Sequence, residues 1–184
     1  MLASDPGAAP SLGAMASETW PLRLAVPRQR PLWTYLFLAV NGLVFLAMTV
    51  AGGSEQLGVL VLFGAKVNPL IVAGQYWRLL TANFIHIGLV HLLFNSYALY
   101  IFGADVEGRF GRTRFVALYL LCGLSGSVLS FLGNDALSAG ASGAIFGLVG
   151  ATIVYYFTYR QEFGRSGRRQ LMNLLLVAAY NLIW

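Results

Sequence analysis

Charged residues are distributed so that long stretches contain none. Leu32 to Ala51 hold no Asp, Glu, Lys or Arg, and neither does the interval between Arg78 and Asp105. The same holds from Phe115 to Leu132, from Leu137 to Tyr159 and from Gln170 to Trp184. An apolar helix of ~20 residues crosses the hydrocarbon of a bilayer, where every backbone polar group must find a partner within the protein. Only 10% of the chain is charged, 58% is hydrophobic and the mean hydropathy is +0.69. A soluble domain carries about 25% charged residues. These values exclude a soluble protein and predict an all-α, polytopic transmembrane helix bundle with five spans.

The spans are predicted at Leu32–Ala51, from Ile87 toward Asp105, at 115–132, at 137–159, and from Gln170 onward. Residues 1–31 contain Pro6, Pro10, Pro21, Pro27 and Pro31 and no apolar run of signal-peptide length. They read as a disordered cytoplasmic tail, and residues 32–184 as one membrane domain. Between the first two spans lies an apolar loop whose two hydrophobic pieces are interrupted by Gly58, Pro69 and Gly74. Neither piece can span, so both suit short helices at the interface. Asp105, Glu107, Arg109, Arg112 and Arg114 are read as a charged turn after span two.

Orientation follows from the basic residues. If the spans alternate, every Arg and Lys except Lys66 and Arg78 falls on one side, which places the N-terminus in the cytoplasm. The net charge of +5 is therefore assigned to membrane orientation rather than to nucleic acid. The absence of a transit peptide points to a bacterial inner membrane. Cys122 is the single cysteine, so no disulfide forms within the chain.

Polar side chains at membrane depth are costly and mark functional candidates. His91 and Asn95 are four apart and share a helix face. At 1.5 Å per residue, Asn95 lies about 15 Å and His91 about 21 Å above the inner boundary, with Ser142 about 27 Å above it. Helix tilt lets the three meet in the outer half of the membrane. Ser142 opens a helix in Gly140-Ala141-Ser142-Gly143, where first-turn N–H groups lack intrahelical partners and can hold an anion. A tetrahedral oxyanion on Ser142 would find donors there and from His91 and Asn95, as acyl transfer requires. Taken alone, Ser142 also fits a packing serine or helix cap, and His91 with Asn95 fits a polar pair bridging helices. Gly123-Leu124-Ser125-Gly126 repeats the pattern, but Ser125 is mid-helix, where its N–H is already bonded. Its expected role is close packing on the Gly143/Gly147 face. No metal site is indicated, since His86 and His91 are five apart with no carboxylate nearby.

Together these residues resemble the rhomboid family of intramembrane serine proteases. Trp77-Arg78 stands in the long outer loop. His86, His91 and Asn95 lead into and along span two. Glu107-x-Arg109 sits at the inner end, and Gly140-Ala141-Ser142-Gly143 opens span four with Phe146 and Gly147 one turn on. The resemblance covers about Leu32 to Trp184. It implies that Ser142 is the nucleophile, with His91, Asn95 and the Ser142 N–H on the oxyanion side. It implies that Trp77-Arg78 shapes the site, that His86 is structural, and that Gly143 and Gly147 contact a later helix. It further implies substrates that are transmembrane proteins within the lipid bilayer, cleaved near the outer face without a cofactor.

One departure is expected to be decisive. The family's base histidine lies in a sixth span, whereas this chain ends in its fifth. The sequence is therefore read as a fragment that is inactive by itself. A catalytically dead relative that binds transmembrane clients, and less directly a small transporter, are the rival readings. Substrate identity and oligomeric state are not legible.

Overall fold

A computed structural model describes residues 30–161 together with Arg169 and Met172. The N-terminal tail up to position 29 lies outside the described residues, as does the expected fifth span apart from Met172. Among the described residues there are helices, turns and one isolated bridge, and no strand. Three helices are long and apolar enough to cross a membrane: α1 (Leu32–Val50), α5 (Leu89–Phe110) and α6 (Arg112–Gly133). A shorter apolar helix, α7 (Ser142–Thr158), packs most extensively against α6. The loop after α1 carries the short helices α2 (Leu57–Phe63), α3 (Asn68–Val72) and α4 (Arg78–Thr81), the last continued by a 3-10 turn over Ala82–Phe84. The architecture is the all-α bundle expected, and the protein is an integral membrane protein.

The bundle is apolar outside as well as inside. Leu43, Leu46, Val50, Phe94, Leu129 and Leu132 point outward and are exposed, a surface suited to lipid chains. The larger internal cluster joins Phe37 of α1, Leu99 and Val106 of α5, Phe115 and Tyr119 of α6, and Leu148 of α7. The Phe37 and Tyr119 rings stack at 4.3 Å between centroids. A second cluster around Met48, Leu60, Ala65 and Ile85 fastens the loop between α1 and α5 to the end of α1.

Two boundaries differ from the sequence reading. The segment Asp105–Arg109 is not a turn: α5 passes through a π-helical stretch at Leu99–Gly103 and stays helical to Phe110. The break falls at Gly111, whose φ is +83°. The charges remain helical because other helices meet them. Glu107 is fully buried and points at the start of α1. Its carboxylate accepts hydrogen bonds from Trp33 N (3.0 Å), Thr34 N (2.8 Å) and Thr34 Oγ1 (2.8 Å). These amides have no partner within their own helix, and the positive end of the helix dipole favours an anion there. Arg109 pairs with Asp105 at 2.8 Å, donates to Tyr156 Oη at 3.1 Å and lies over the Tyr155 ring at 4.9 Å, which ties α5 to α7.

The fourth span starts later than expected, at Ser142 rather than near Leu137. Ser138 exchanges both backbone hydrogen bonds with Lys66 (2.9 and 3.2 Å), and Gly140 has φ +129°, so residues 138–140 are held outside the helix.

Glu107→Ala would leave three buried donors unpartnered, and we expect a stability loss of about 2–4 kcal/mol. Amide exchange at Trp33 and Thr34 should rise with it. Glu107→Gln, which keeps one acceptor oxygen, should lose clearly less; equal losses would show that the cap contributes nothing specific.

Candidate functional site

The loop between α1 and α5 builds the platform for Ser142. Arg78 is buried and donates from Nη1 to the Val61 and Ala65 carbonyls (2.8 and 3.1 Å), closing the end of α2. Its Nε donates to Gln75 Oε1 at 2.7 Å, and its guanidinium lies 4.6 Å from the Trp77 ring centre. Trp77 in turn covers Gly64, where a Cβ would lie 2.5 Å from its Cζ3. Trp77 and Arg78 therefore brace the loop and do not line the space beside the serine.

From this loop the chain is handed to the serine in steps. Ser138 pairs with Lys66, and Gly140 N donates to Ala82 O at 2.8 Å. A Cβ on Gly140 would lie 2.7 Å from both Cε1 and Nε2 of His91 and 3.8 Å from Asn95 Nδ2. Only glycine combines this φ with this close approach. The geometry thus brings His91 and Asn95 to Gly140, two residues before Ser142. Asn95 is buried and donates from Nδ2 to His91 O at 3.1 Å.

Ser142 is the first helical residue of α7 and is exposed. No side chain caps this helix start, so its first-turn N–H groups have no acceptor from a capping residue. Ser142 lines a cavity of about 200 Å³ with Asn83, Ser127, Ser130, Ser138 and Phe146. Asn83 and the three other serines bring polar groups into this lining beside Ala82, Ala139 and Phe146, and an acyl-transfer site needs such groups to admit water and bind a developing oxyanion.

The glycine face below Ser142 packs on α6, the helix that carries Ser125. A Cβ on Gly143 would lie 3.3 Å from Gly126 Cα, and one on Gly147 would collide with the Cys122 side chain. The partner of Gly143 and Gly147 is therefore α6. Ser125 does not pack there. It is exposed and its Oγ donates to Leu121 O at 2.8 Å, while Gly126 and Cys122 fill the contact. A serine whose hydroxyl donates to its own preceding turn has spent its single donor there.

His86 is fully buried and meets His91 edge-on at 5.3 Å between ring centres. No hydrogen bond joins Ser142 to either histidine among the described residues. Asn83, Ser127, Ser130 and Ser138 were not singled out from sequence. Ser127 and Ser130 are three apart on the face that also carries Gly123 and Gly126, a periodicity the sequence does display. Asn83 donates to Leu79 O, Leu80 O and Ser127 Oγ and lies over Gly123.

Burial pushes the His86 imidazole down to about 4, and the adjacent His91 charge acts the same way. The Phe84 carbonyl opposes both without reaching hydrogen-bond geometry. Since the folded value lies below the ordinary one, His86 contributes stability that is complete above about pH 6.5 and is lost as the pH falls toward about 4. Stability should drop across that window by up to about 3 kcal/mol. His86→Gln should flatten this limb of the pH–stability curve; an unchanged limb assigns the titration elsewhere.

A rhomboid domain model matches residues 73–184, a range that takes in Trp77-Arg78, His86, His91, Asn95 and Ser142. The chain is 43% identical over 148 residues to Rhomboid protease GluP of Bacillus subtilis (strain 168), covering 80% of this chain and 29% of that protein. It is 36% identical over 132 residues to RHOMBOID-like protein 4 of Arabidopsis thaliana, covering 71% of this chain and 33% of that protein. With RHOMBOID-like protein 9, chloroplastic, of the same plant, identity is 43% over 94 residues, 51% of this chain and 22% of that protein. The chain thus spans a third or less of the length of each of these three relatives. Matched along more than half its length by the domain model, the chain belongs to the rhomboid family.

Proposed function

We propose that Ser142 is the nucleophile of a serine endopeptidase that cuts transmembrane segments of other membrane proteins near the outer face of the bilayer. The observation that carries this reading is an exposed serine at an uncapped helix start, lining a cavity that Asn83, Ser127, Ser130 and Ser138 share within an apolar bundle. Ser142 Oγ attacks the scissile carbonyl carbon and passes its proton to a base. The oxyanion accepts hydrogen bonds from the Ser142 N–H and from Asn95 and His91. Collapse breaks the C–N bond, the leaving amine takes the proton, and water then hydrolyses the acyl-enzyme.

A serine needs a base within hydrogen-bond reach. His86 and His91, the two histidines of this sequence, face each other and Gly140 instead. The reading therefore includes inactivity of these 184 residues alone, with the base supplied by a further histidine of a longer parent protein. The same observation favours the second reading, a catalytically dead relative that binds transmembrane clients.

The orientation proposed has the N-terminus in the cytoplasm of a bacterial inner membrane. Lys66 and Arg78, the two exceptions to the charge asymmetry, support it. Both are buried on backbone carbonyls and so act as structural groups rather than free outer charges.

In the full-length parent, a fluorophosphonate probe should label Ser142, and Ser142→Ala should abolish both labelling and cleavage of a model transmembrane substrate. Asn95→Ala should lower kcat by about 10²-fold while changing KM little. Absence of labelling, together with unchanged cleavage by Ser142→Ala, would sink the protease reading. Client capture without labelling would establish the second one.

A further inference from the structure

Lys66 is the buried charge that the proposed chemistry leaves unused. It is fully buried, yet its ammonium lies at the end of α6 and donates to Ser130 O (3.1 Å), Asn134 O (2.8 Å) and Ala136 O (3.0 Å). Three donors thus meet three carbonyls, the full complement of a lysine. The last carbonyls of a helix lack intrahelical partners and form the negative end of its dipole, so a cation is favoured there. Asn68 completes the cover, donating from Nδ2 to Phe131 O, Asn134 O and Asp135 Oδ1.

The backbone of Lys66 makes a separate connection. Lys66 N donates to Ser138 O and Ser138 N to Lys66 O, while Ser130 Oγ and Ser138 Oγ meet at 3.0 Å. One residue therefore grips both ends of the connection from α6 to α7, through its side chain at 130–136 and through its backbone at 138. Two residues on, Gly140 is held on Ala82 and against His91. Ser142 follows at once. No side chain caps α7. The direction in which its first-turn N–H groups point is therefore set by the segment that leads into it.

We propose that Lys66 is a positioning residue, whose clamp on the α6–α7 connection sets the placement of Ser142 Oγ and of the α7 first-turn N–H groups. It acts through the Ser138–Gly140 segment and touches no reacting atom. The inference rests on Ser142 as nucleophile for its catalytic consequence, but the placement of the segment is testable without catalysis.

Lys66→Met and the milder Lys66→Gln, which keeps two donors without the charge, would be compared with the parent in the full-length protein. Amide hydrogen exchange and the rate of fluorophosphonate labelling would be followed together. Exchange at Ser138 and Gly140 should quicken by about tenfold or more in Lys66→Met, with α1 and α5 changing by less than about twofold. Lys66→Gln should fall between. The labelling rate of Ser142 should drop in the same order. Exchange that quickens uniformly over α1, α5 and α7 would reduce Lys66 to a general stabiliser, and unchanged exchange at Ser138 and Gly140 would refute the clamp. A parent that exchanges as expected but never labels would refute the nucleophile while leaving the clamp to be judged on exchange alone.

Discussion

Backbone groups at helix ends have no water to turn to inside a bilayer, and each one left bare costs several kcal/mol. Three buried charges meet this constraint here. Glu107 takes the free amides of α1, Lys66 binds Ser130 O in the last turn of α6 and two carbonyls just beyond it, and Arg78 binds Val61 O of α2 and Ala65 O just beyond it. Each has the sign that the helix dipole favours at its end. Burying a charge is unfavourable unless its hydrogen-bonding capacity is filled, and the carboxylate and the ammonium each make three bonds. The three buried charges among the described residues are thus spent at helix ends.

That economy explains why the irregular loop between α1 and α5 can stand beside an apolar bundle. Helices α2, α3 and α4 are too short to be stable alone. They persist because Arg78 and Thr81 bind the α2 terminus and Gly64, while Lys66 and Asn68 bind the end of α6. The loop in turn carries Ala82, which accepts from Gly140, so loop order is passed to the serine. The cavity at Ser142 follows from this arrangement, because segments 82–83 and 138–140 bring polar side chains and backbone to the C-terminal end of α6 and the start of α7.

Charge spacing made α1, α5 and α6 legible, because hydrophobic length is a property of one segment at a time. The identity of Ser142 as a helix start was also legible, from Gly140 on one side and the small-residue periodicity on the other. The charged run at 105–109 misled, since a sequence shows charge without showing the partner helix that receives it. Glu107 reads as a turn residue until α1 is placed against it. The start of α7 was set too early for a similar reason: Leu137 and Ala139 are apolar, but the Lys66–Ser138 pairing that keeps them extended joins positions far apart in sequence. Residues 82–83 and Ser127 and Ser130 of α6 went unnoticed because small polar side chains are common in membrane helices, and only their convergence gives them meaning.

The glycine stripe gains its sense from the same geometry. Gly143 lets the α7 backbone touch α6 at Gly126, and Gly147 admits Cys122, whereas Gly150 meets nothing within 4 Å. The first two glycines therefore fix how closely α7 approaches α6, and they do so within two turns of Ser142. The connection gripped by Lys66 fixes where α7 begins. Ser142 is held from below by helix contact and from before by loop contact, and neither alone would define it. Close backbone approach sets the distance between the helices but leaves α7 free to slide along α6; the Ser138 and Gly140 hydrogen bonds remove that freedom. Ser125 has neither restraint, which is why an identical local pattern, glycine, any residue, serine, glycine, yields an inert side chain bonded to its own helix.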